Sequence, residues 1–381
     1  MRLLPGAAHF QVSELAAYEP CGAGEHLYVL VEKEGVNSDD VAEALRRATG
    51  RARGDVGYAG RKDRIAIARQ WFSVRLAEEA TLAKLSAPAG GRIDVLEVSR
   101  HRNKLRLGHL HGNRFRLGLD GAEDAEALAR LRESLERLSR FGIENRFGAQ
   151  RFGHGGANVA IARAWASGNA ARAAALCVDP SGAWTAGDPL PSDFRPGLFG
   201  RVVGALRRAP DEPERALRAP GRGFAKLLAS AAQSAVFNAV LERRRDAGLT
   251  HVVRAGDVLR RRGGGLFRCS AADLDSANER AAPGRLEVFA TAPLPGPDAY
   301  APSAEVDTEE RRWSASTEVD WAWFDGDGPL ASPGDRRELV VPFLEAPRLE
   351  VSGDVAWLEL ALPPGSFATE VLTQCGVGSR V

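Results

Sequence analysis

The stretch Gly57-Tyr58-Ala59-Gly60-Arg61-Lys62-Asp63-Arg64, running within a few residues into Gln70-Trp71-Phe72, decides how this chain is read. It places one carboxylate, Asp63, among three cations. Nearby positive charge favours the ionised form of an acid, and an ionised carboxylate is a competent nucleophile or base. Asp63 is therefore the candidate catalytic residue. On these residues alone the competing reading is a surface turn whose charges pair with one another.

Outward from this turn the first third of the chain reads as mixed strands and helices. Leu27–Lys33 is apolar and β-branched, and Val41–Arg51 carries apolar residues at helical spacing, with an N-cap expected in Ser38-Asp39-Asp40 and an end at Gly50. Short strands are expected at Gln70–Leu76, Ile93–Val98, Lys104–Leu107 and Asn113–Leu119, separated by glycine or charged turns. Much antiparallel pairing follows, so the fold class is α+β. A helix is expected from Glu123 to about Ser139. From Asn145 the character changes to a glycine-bearing loop and alanine-rich helix, which sets a domain boundary near residue 145. Asp179–Phe199 and Pro293–Pro302 read as loops on either side of an amphipathic helix, Phe224–Arg245. Strand character returns at Glu338–Phe343 and Leu349–Leu362, before a turn into a last helix.

The chain has 381 residues, 44% of them hydrophobic and 27% charged, which fits a folded protein of about two domains. Its formal net charge of +1 hides an uneven spread. Arg100–Arg116, RHRNKLRLGHLHGNRFR, holds six Lys/Arg and three His with no acid. Such a tract suits a nucleic-acid backbone, with Arg100, Arg102, Lys104 and Arg106 as candidate phosphate contacts. Alternation across Lys104–Leu107 would put the charges on one strand face, and Phe115 offers a flat surface for a base. The alternative is a solvated charged face. Asn145–Gly156, NRFGAQRFGHGG, interleaves glycines with arginines and phenylalanines but lacks the ending of a P-loop and does not follow a clear strand. It reads either as a junction loop touching RNA, with Arg151 as the contact, or as a structural turn. Phe367 lies in a strand-to-helix turn, LPPGSFATE, and taken singly reads as core.

Cys21, Cys177, Cys269 and Cys375 are scattered without zinc spacing, so neither a disulfide framework nor structural zinc is expected. His109-x-His111 has no third metal ligand nearby in sequence. The start, Met-Arg-Leu-Leu-Pro-Gly, breaks before a signal-like run forms, and no stretch is expected to supply the roughly 20 apolar residues of a membrane span. A cytoplasmic location follows. A metal-dependent nuclease would need clustered carboxylates, and none accompanies the basic tracts.

In this order the segments GYAGRKDRIAIARQWFSV, RHRNKLRLGHLHGNRF, NRFGAQRFGHGGANV, LASAAQSAVFNAVLERR and LPPGSFAT resemble the TruD family of tRNA pseudouridine synthases over nearly the whole chain. The resemblance implies an isomerase that acts on tRNA without metal or other cofactor, as a monomer and away from membranes, on a uridine at position 13. It implies that Asp63 is the catalytic aspartate of a Gly-x-Lys-Asp turn. Phe10, Asn113 and Phe367 would line the uridine pocket, with Phe115 as its further aromatic residue and Lys62 beside the substrate. Residues 1–144 and 341–381 would form the pseudouridine synthase catalytic domain, a largely antiparallel sheet with helices. Residues 145–340 would form an inserted α/β TRUD domain that helps grip tRNA in the cleft between the two. The N-terminus departs from the family pattern. Aligning on Pro5 with a two-residue insertion gives Arg2 the family's basic role at the aspartate, whereas aligning on Phe10 puts Leu4 there. A non-catalytic RNA-binding protein on the same fold is the rival class, and the retained Gly60-Arg61-Lys62-Asp63 turn separates the two.

Overall fold

The computed structural model describes residues 1–194 and 196–378. In chain order the first elements are β1 (Phe10–Ala16), β2 (His26–Glu34), α1 (Ser38–Thr49), β3 (Val56–Tyr58), β4 (Ile67–Arg75), β5 (Arg92–His101), β6 (Leu110–Leu119) and α2 (Ala125–Phe141). Next come β7 (Ile143–Glu144), α3 (Ala157–Ala166), α4 (Ala170–Leu176), α5 (Gly197–Arg208), α6 (Pro213–Arg218), α7 (Arg222–Asp246), β8 (Val258–Arg261), β9 (Leu266–Arg268) and α8 (Leu274–Ala281). The chain closes with β10 (Val288–Leu294), α9 (Ala304–Ser314), β11 (Asp335–Glu338), β12 (Val340–Val341), β13 (Glu345–Ser352), β14 (Val355–Leu362) and α10 (Ala368–Gln374). Contacts divide it into two compact units, Met1–Ile143 with Pro342–Val381, and Glu144–Val341. The architecture is α+β with largely antiparallel sheets.

The first unit is built on an eight-stranded sheet in the order β13-β14-β6-β1-β4-β2-β5, with β3 added alongside β4. The pairings are antiparallel apart from β1 with β4, which run parallel. Alternation decides what the sheet buries, because successive side chains point to opposite faces. In β2 the inward set is Leu27, Val29 and Val31, all essentially inaccessible, and α1 lays Val41 and Leu45 against them beside Phe72 and Val74. Lys33 continues that same inward set and is also fully buried.

Several expected elements differ in detail. The N-cap of α1 is Asn37, whose backbone N–H donates to the Asp40 carboxylate at 2.8 Å, so Ser38 keeps its hydroxyl for another purpose. Gly50 ends the helix in the left-handed region at φ 65°. Lys104–Leu107 is not a strand but part of the connection between β5 and β6. Leu349–Leu362 is broken by a two-residue hairpin turn at Gly353-Asp354, with Ser352 facing Val355. Pro293 and Leu294, expected in a loop, complete β10.

In the second unit β11-β10-β8-β9 form a four-stranded sheet, antiparallel throughout. Its helical core gathers Ile161, Trp165, Val202, Leu217, Phe224 and Leu228. The axis of this unit is α7, whose buried residues go well beyond one stripe and include Phe237, Leu241 and Arg244. By length and composition α7 is apolar enough to cross a membrane, with mean hydropathy 1.3 over 18 residues, contrary to the expectation that no stretch would qualify. Because 61% of that window is buried within the protein, it is placed as a core helix.

Candidate active site

The Asp63 turn is held by side chains that rise from one face of the large sheet. In register across four strands stand Lys33 on β2, Ala68 on β4, Val12 on β1 and Phe115 on β6. Two residues along, Gln70 and Glu14 carry polar groups on the same face, and Glu14 is the cross-strand partner of Asn113. A buried polar group is tolerated only when hydrogen-bonded, and each of these finds its partner in the turn. Gln70 Nε2 donates to the Gly60 carbonyl at 3.0 Å, and the Ser38 hydroxyl donates to Gln70 Oε1 at 2.5 Å. That hydroxyl in turn accepts the Lys62 backbone N–H at 2.9 Å. Lys62 Nζ donates to Glu14 Oε2 at 3.0 Å, and Lys33 Nζ donates to the Asp63 carbonyl at 2.6 Å and to the Val36 carbonyl at 2.7 Å. Backbone bonding between Gly35 and Arg64, at 3.1 Å, closes the far side. Residues 60 to 64 are thus anchored from β1, β2, α1 and β4 at once.

The Asp63 carboxylate itself is exposed. Among the described residues no ion pair or hydrogen bond reaches it. Its flanking cations do not form the expected nest. Arg61 lies 3.6 Å from Asp39, Arg64 Nε donates to the Gly35 carbonyl at 2.7 Å, and Lys62 turns inward to Glu14. The Lys62 side chain is 4% exposed, so the expectation that it meets substrate is corrected: it is an internal tether of the turn. Burial pushes the Glu14 carboxyl above its ordinary value, against the pull of Lys62. Burial likewise pushes the Lys33 ammonium down to about 8, with Asp63 and Asp40 acting in the opposite direction.

Phe10, Asn113 and Phe115 share the sheet face that carries the turn. Phe10 meets Phe115 edge-on, with centroids 6.3 Å apart and rings at 78°. Phe115 is only 7% exposed, so it backs Phe10 and leaves the open aromatic surface to Phe10 and Phe367, both half-buried. Phe367 caps α10, five residues beyond Leu362, which pairs with Asn113. Asn113 Oδ1 and Ser366 Oγ are buried without a hydrogen-bond partner. Such orphaned atoms are costly and mark a place where a ligand's donor belongs.

Arg2 makes no ion pair or hydrogen bond with Asp63 among the described residues. Its neighbour Leu3 bridges to Leu119, six residues along β6 from Asn113, a separation of about 20 Å at the strand rise. At that end the Arg2 backbone N–H donates to the Asp120 carboxylate, and Arg2 stands opposite Gly378 in a parallel bridge closed by Leu3 N–H to the Gly378 carbonyl and Gly378 N–H to the Met1 carbonyl. The basic tract is also remodelled. Arg114 and Arg116 pair with Glu345 and Glu359, acids remote in sequence, and Arg116 lies over Trp357 at 4.0 Å. Arg100 donates to the Ala77 carbonyl at 3.2 Å and Lys104 to the Gly54 carbonyl. Arg102 and Arg106 stay exposed. In the second unit Arg151 bonds Ser230 at 3.2 Å and lies 5.2 Å over Phe147, which Arg337 covers at 4.2 Å from its own side chain. Burial lowers the pKa of both guanidinium groups, Arg337 to about 10.

Glu14, Lys33, Ser38, Gln70 and Ser366 are site residues that the sequence reading missed. For Lys33 a signal existed: a lysine at an inward position of an otherwise apolar strand must have a buried partner. Among the described residues no cluster of three or more His, Cys, Asp or Glu is placed to hold a metal, and the four cysteines are unpaired.

The first unit thus holds an exposed carboxylate on a turn fixed from four elements, together with half-buried aromatic rings and unpartnered polar atoms, groups that suit a group-transfer or isomerisation reaction on a flat polar ligand. The family model described as tRNA pseudouridine synthase D (TruD) matches residues 1–183 and 200–375. The tRNA pseudouridine synthase D of Geobacter metallireducens is 39% identical over 392 residues, covering 98% of this chain and 94% of that protein. Its counterpart in Geobacter sulfurreducens is 36% identical, covering 96% and 91%. A crystal structure of a TruD protein from Methanosarcina mazei superposes with a TM-score of 0.72 at 23% identity, covering 99% of this chain and 94% of that one, and shares the fold. The chain belongs to the TruD family of tRNA pseudouridine synthases.

Proposed function

We propose that this protein converts a uridine of tRNA, at position 13, to pseudouridine, with Asp63 as the catalytic group. The observation that carries the proposal is the Asp63 carboxylate: open to solvent, without a partner among the described residues, and mounted on a turn fixed from four elements. The first unit is the catalytic domain, and the second, through groups such as Arg151, adds grip on the tRNA. The enzyme works as a cytoplasmic monomer.

The target uridine leaves its stack to reach the site, because its ribose carbon is inaccessible within paired RNA. Unstacking costs on the order of a few kcal/mol, and stacking on Phe10 and Phe367 offsets about 1 to 3 kcal/mol per contact. Asn113 Oδ1, an acceptor without a donor, suits the N3–H of uracil. Asp63 then attacks the sugar or abstracts a sugar proton while the N1–C1′ bond breaks. The uracil turns in place and C5 bonds to C1′ as the Asp63–C1′ bond breaks or, on the other route, as the abstracted proton returns to the sugar; C5 then gives up its proton and N1 acquires one. Atoms and electrons balance without a net redox change. Holding the detached base next to the sugar is the enzyme's main entropic contribution.

The test is to incubate purified protein with a tRNA transcript and map pseudouridine along it. A single modified position that disappears when uridine 13 is replaced by cytidine is expected. Modification elsewhere, or none on any tRNA, overturns the assignment.

A further inference from the structure

The turn that presents Asp63 stands over two buried lysines, and only one of them has an acid in contact. Lys62 is matched by Glu14. Lys33 is completely buried, and its two hydrogen bonds go to carbonyls, of Asp63 and of Val36. The charged groups that face it are Asp63 and Lys62 from the turn and Asp40 from α1. Its strand neighbours Ala68 and Ile93 carry no charge. Holding an ammonium in such a place is costly, and two bonds to carbonyls could be supplied by a neutral side chain at lower cost.

We infer that Lys33 is a positioning residue for the reaction, a buried cation that clamps the Asp63 carbonyl and sets the field under its carboxylate. This rests on Asp63 being the catalytic group. Two physical effects act together. A charge-assisted hydrogen bond is roughly twice as strong as a neutral one, so the protonated amine holds the turn more firmly than the free amine does. The positive charge also attracts the Asp63 carboxylate electrostatically, which helps to fix where that side chain stands, whether it acts as nucleophile or as base. Lys33 reaches neither solvent nor RNA. Its influence therefore falls on the chemical step and not on tRNA binding.

The pH behaviour separates this role from a merely structural one. The folded-state pKa of Lys33, about 8, lies below its unfolded value near 10.4. Between the two the unfolded chain binds the extra proton, so this group makes the fold more stable as pH rises through that window. A structural lysine thus gives rising stability with activity unchanged. A positioning lysine gives rising stability with falling activity, because the ammonium is lost.

The experiment measures single-turnover rate and tRNA affinity from pH 6.5 to 9.5 for wild type, Lys33→Met, Lys33→Gln and Asp63→Asn, with thermal melts alongside. The expected result is a wild-type rate that falls above about pH 8, and Lys33 variants reduced about 100-fold at pH 7, the scale of a 1 Å misplacement, with that alkaline fall abolished. Their tRNA affinity stays within about twofold of wild type, since truncation of a residue that makes no ligand contact leaves binding nearly intact. Folded Lys33 variants with the wild-type rate, or with the wild-type alkaline fall, overturn the inference. Should neither variant fold, a wild-type rate that is flat to pH 9.5 overturns it, and a fall near pH 8 opposed by rising thermal stability upholds it. An active Asp63→Asn protein instead overturns the reading on which the inference rests.

Discussion

At Glu14 the consequences of burying charge are plainest. Its side chain is 1% exposed, and it accepts from Lys62 Nζ and, at 3.4 Å, from the Trp71 backbone. Removing one member of a buried ion pair leaves the other uncompensated, at a cost of about 3 to 5 kcal/mol, whereas replacing both by apolar residues is often neutral. Glu14→Leu should therefore lower the denaturant midpoint strongly, and Glu14→Leu with Lys62→Met should recover most of the loss. Equal midpoints for the single and double variants would remove the pair from the account. Gly57 is a second such point. A Cβ there would stand 2.2 Å from the Leu105 carbonyl oxygen, a distance no side chain accepts. Gly57→Ala should cost about 1 to 3 kcal/mol, as overpacking does, and should lower activity by shifting the start of the turn. Asp63 stood out in the sequence as the candidate carboxylate, but its surroundings did not. The neighbours in sequence, Arg61 and Arg64, turn away, and the groups that hold it come from residues 14, 33, 38 and 70, brought near by strand register and by the packing of α1 on the sheet.

Among the elements, the connection between β5 and β6 carries the sharpest lesson about charge. As sequence, six cations in an acid-free run looked like a continuous phosphate track. As structure, the register of β6 with β14 and the adjoining hairpin sets Glu345 and Glu359 beside Arg114 and Arg116. Composition along the chain cannot show partners more than 200 residues away, which is why the pairing of these two of the six cations was not legible. Arg102 and Arg106 remain free to meet phosphate. Each neutralised phosphate contributes about 0.7 to 0.9 to the slope of log affinity against log salt. Arg102→Ala and Arg106→Ala should each weaken tRNA binding and flatten that slope by about one, while Arg114→Ala should leave the slope unchanged. The reverse pattern, measured by filter binding across salt, would put the RNA path on the outer face of β6. Strands and helices themselves were largely readable, because inward alternation in β2 and helical spacing in α1 report burial directly. The hairpin at Gly353-Asp354 was missed because Leu349 and Val351 run on into the apolar Val355–Leu362 and the turn between them is only two residues long.

For the molecule as a whole, two units with separate cores imply that unfolding need not be a single step. The second unit contains its own buried ion pairs, Arg244 with Asp257 at 2.8 Å and Arg336 with Glu310. Arg244→Leu strips the buried Asp257 of its two-point partner, leaving it only Arg254, whose guanidinium lies 3.7 Å away and whose backbone N–H donates at 2.9 Å, and should destabilise the second unit by about 3 kcal/mol. Calorimetry should then show the second unit's transition displaced, with the other little changed. A uniform shift of a single transition would mean that the units unfold as one. Neither core explains catalysis. The claim on which the rest depends is that the Asp63 carboxylate does the chemistry, and exchange of one oxygen for nitrogen tests it with the least disturbance. Tritium release from 5-tritiated uridine in tRNA should be absent for Asp63→Asn while its tRNA affinity stays near that of the wild type; release at the wild-type rate by that variant would contradict the account.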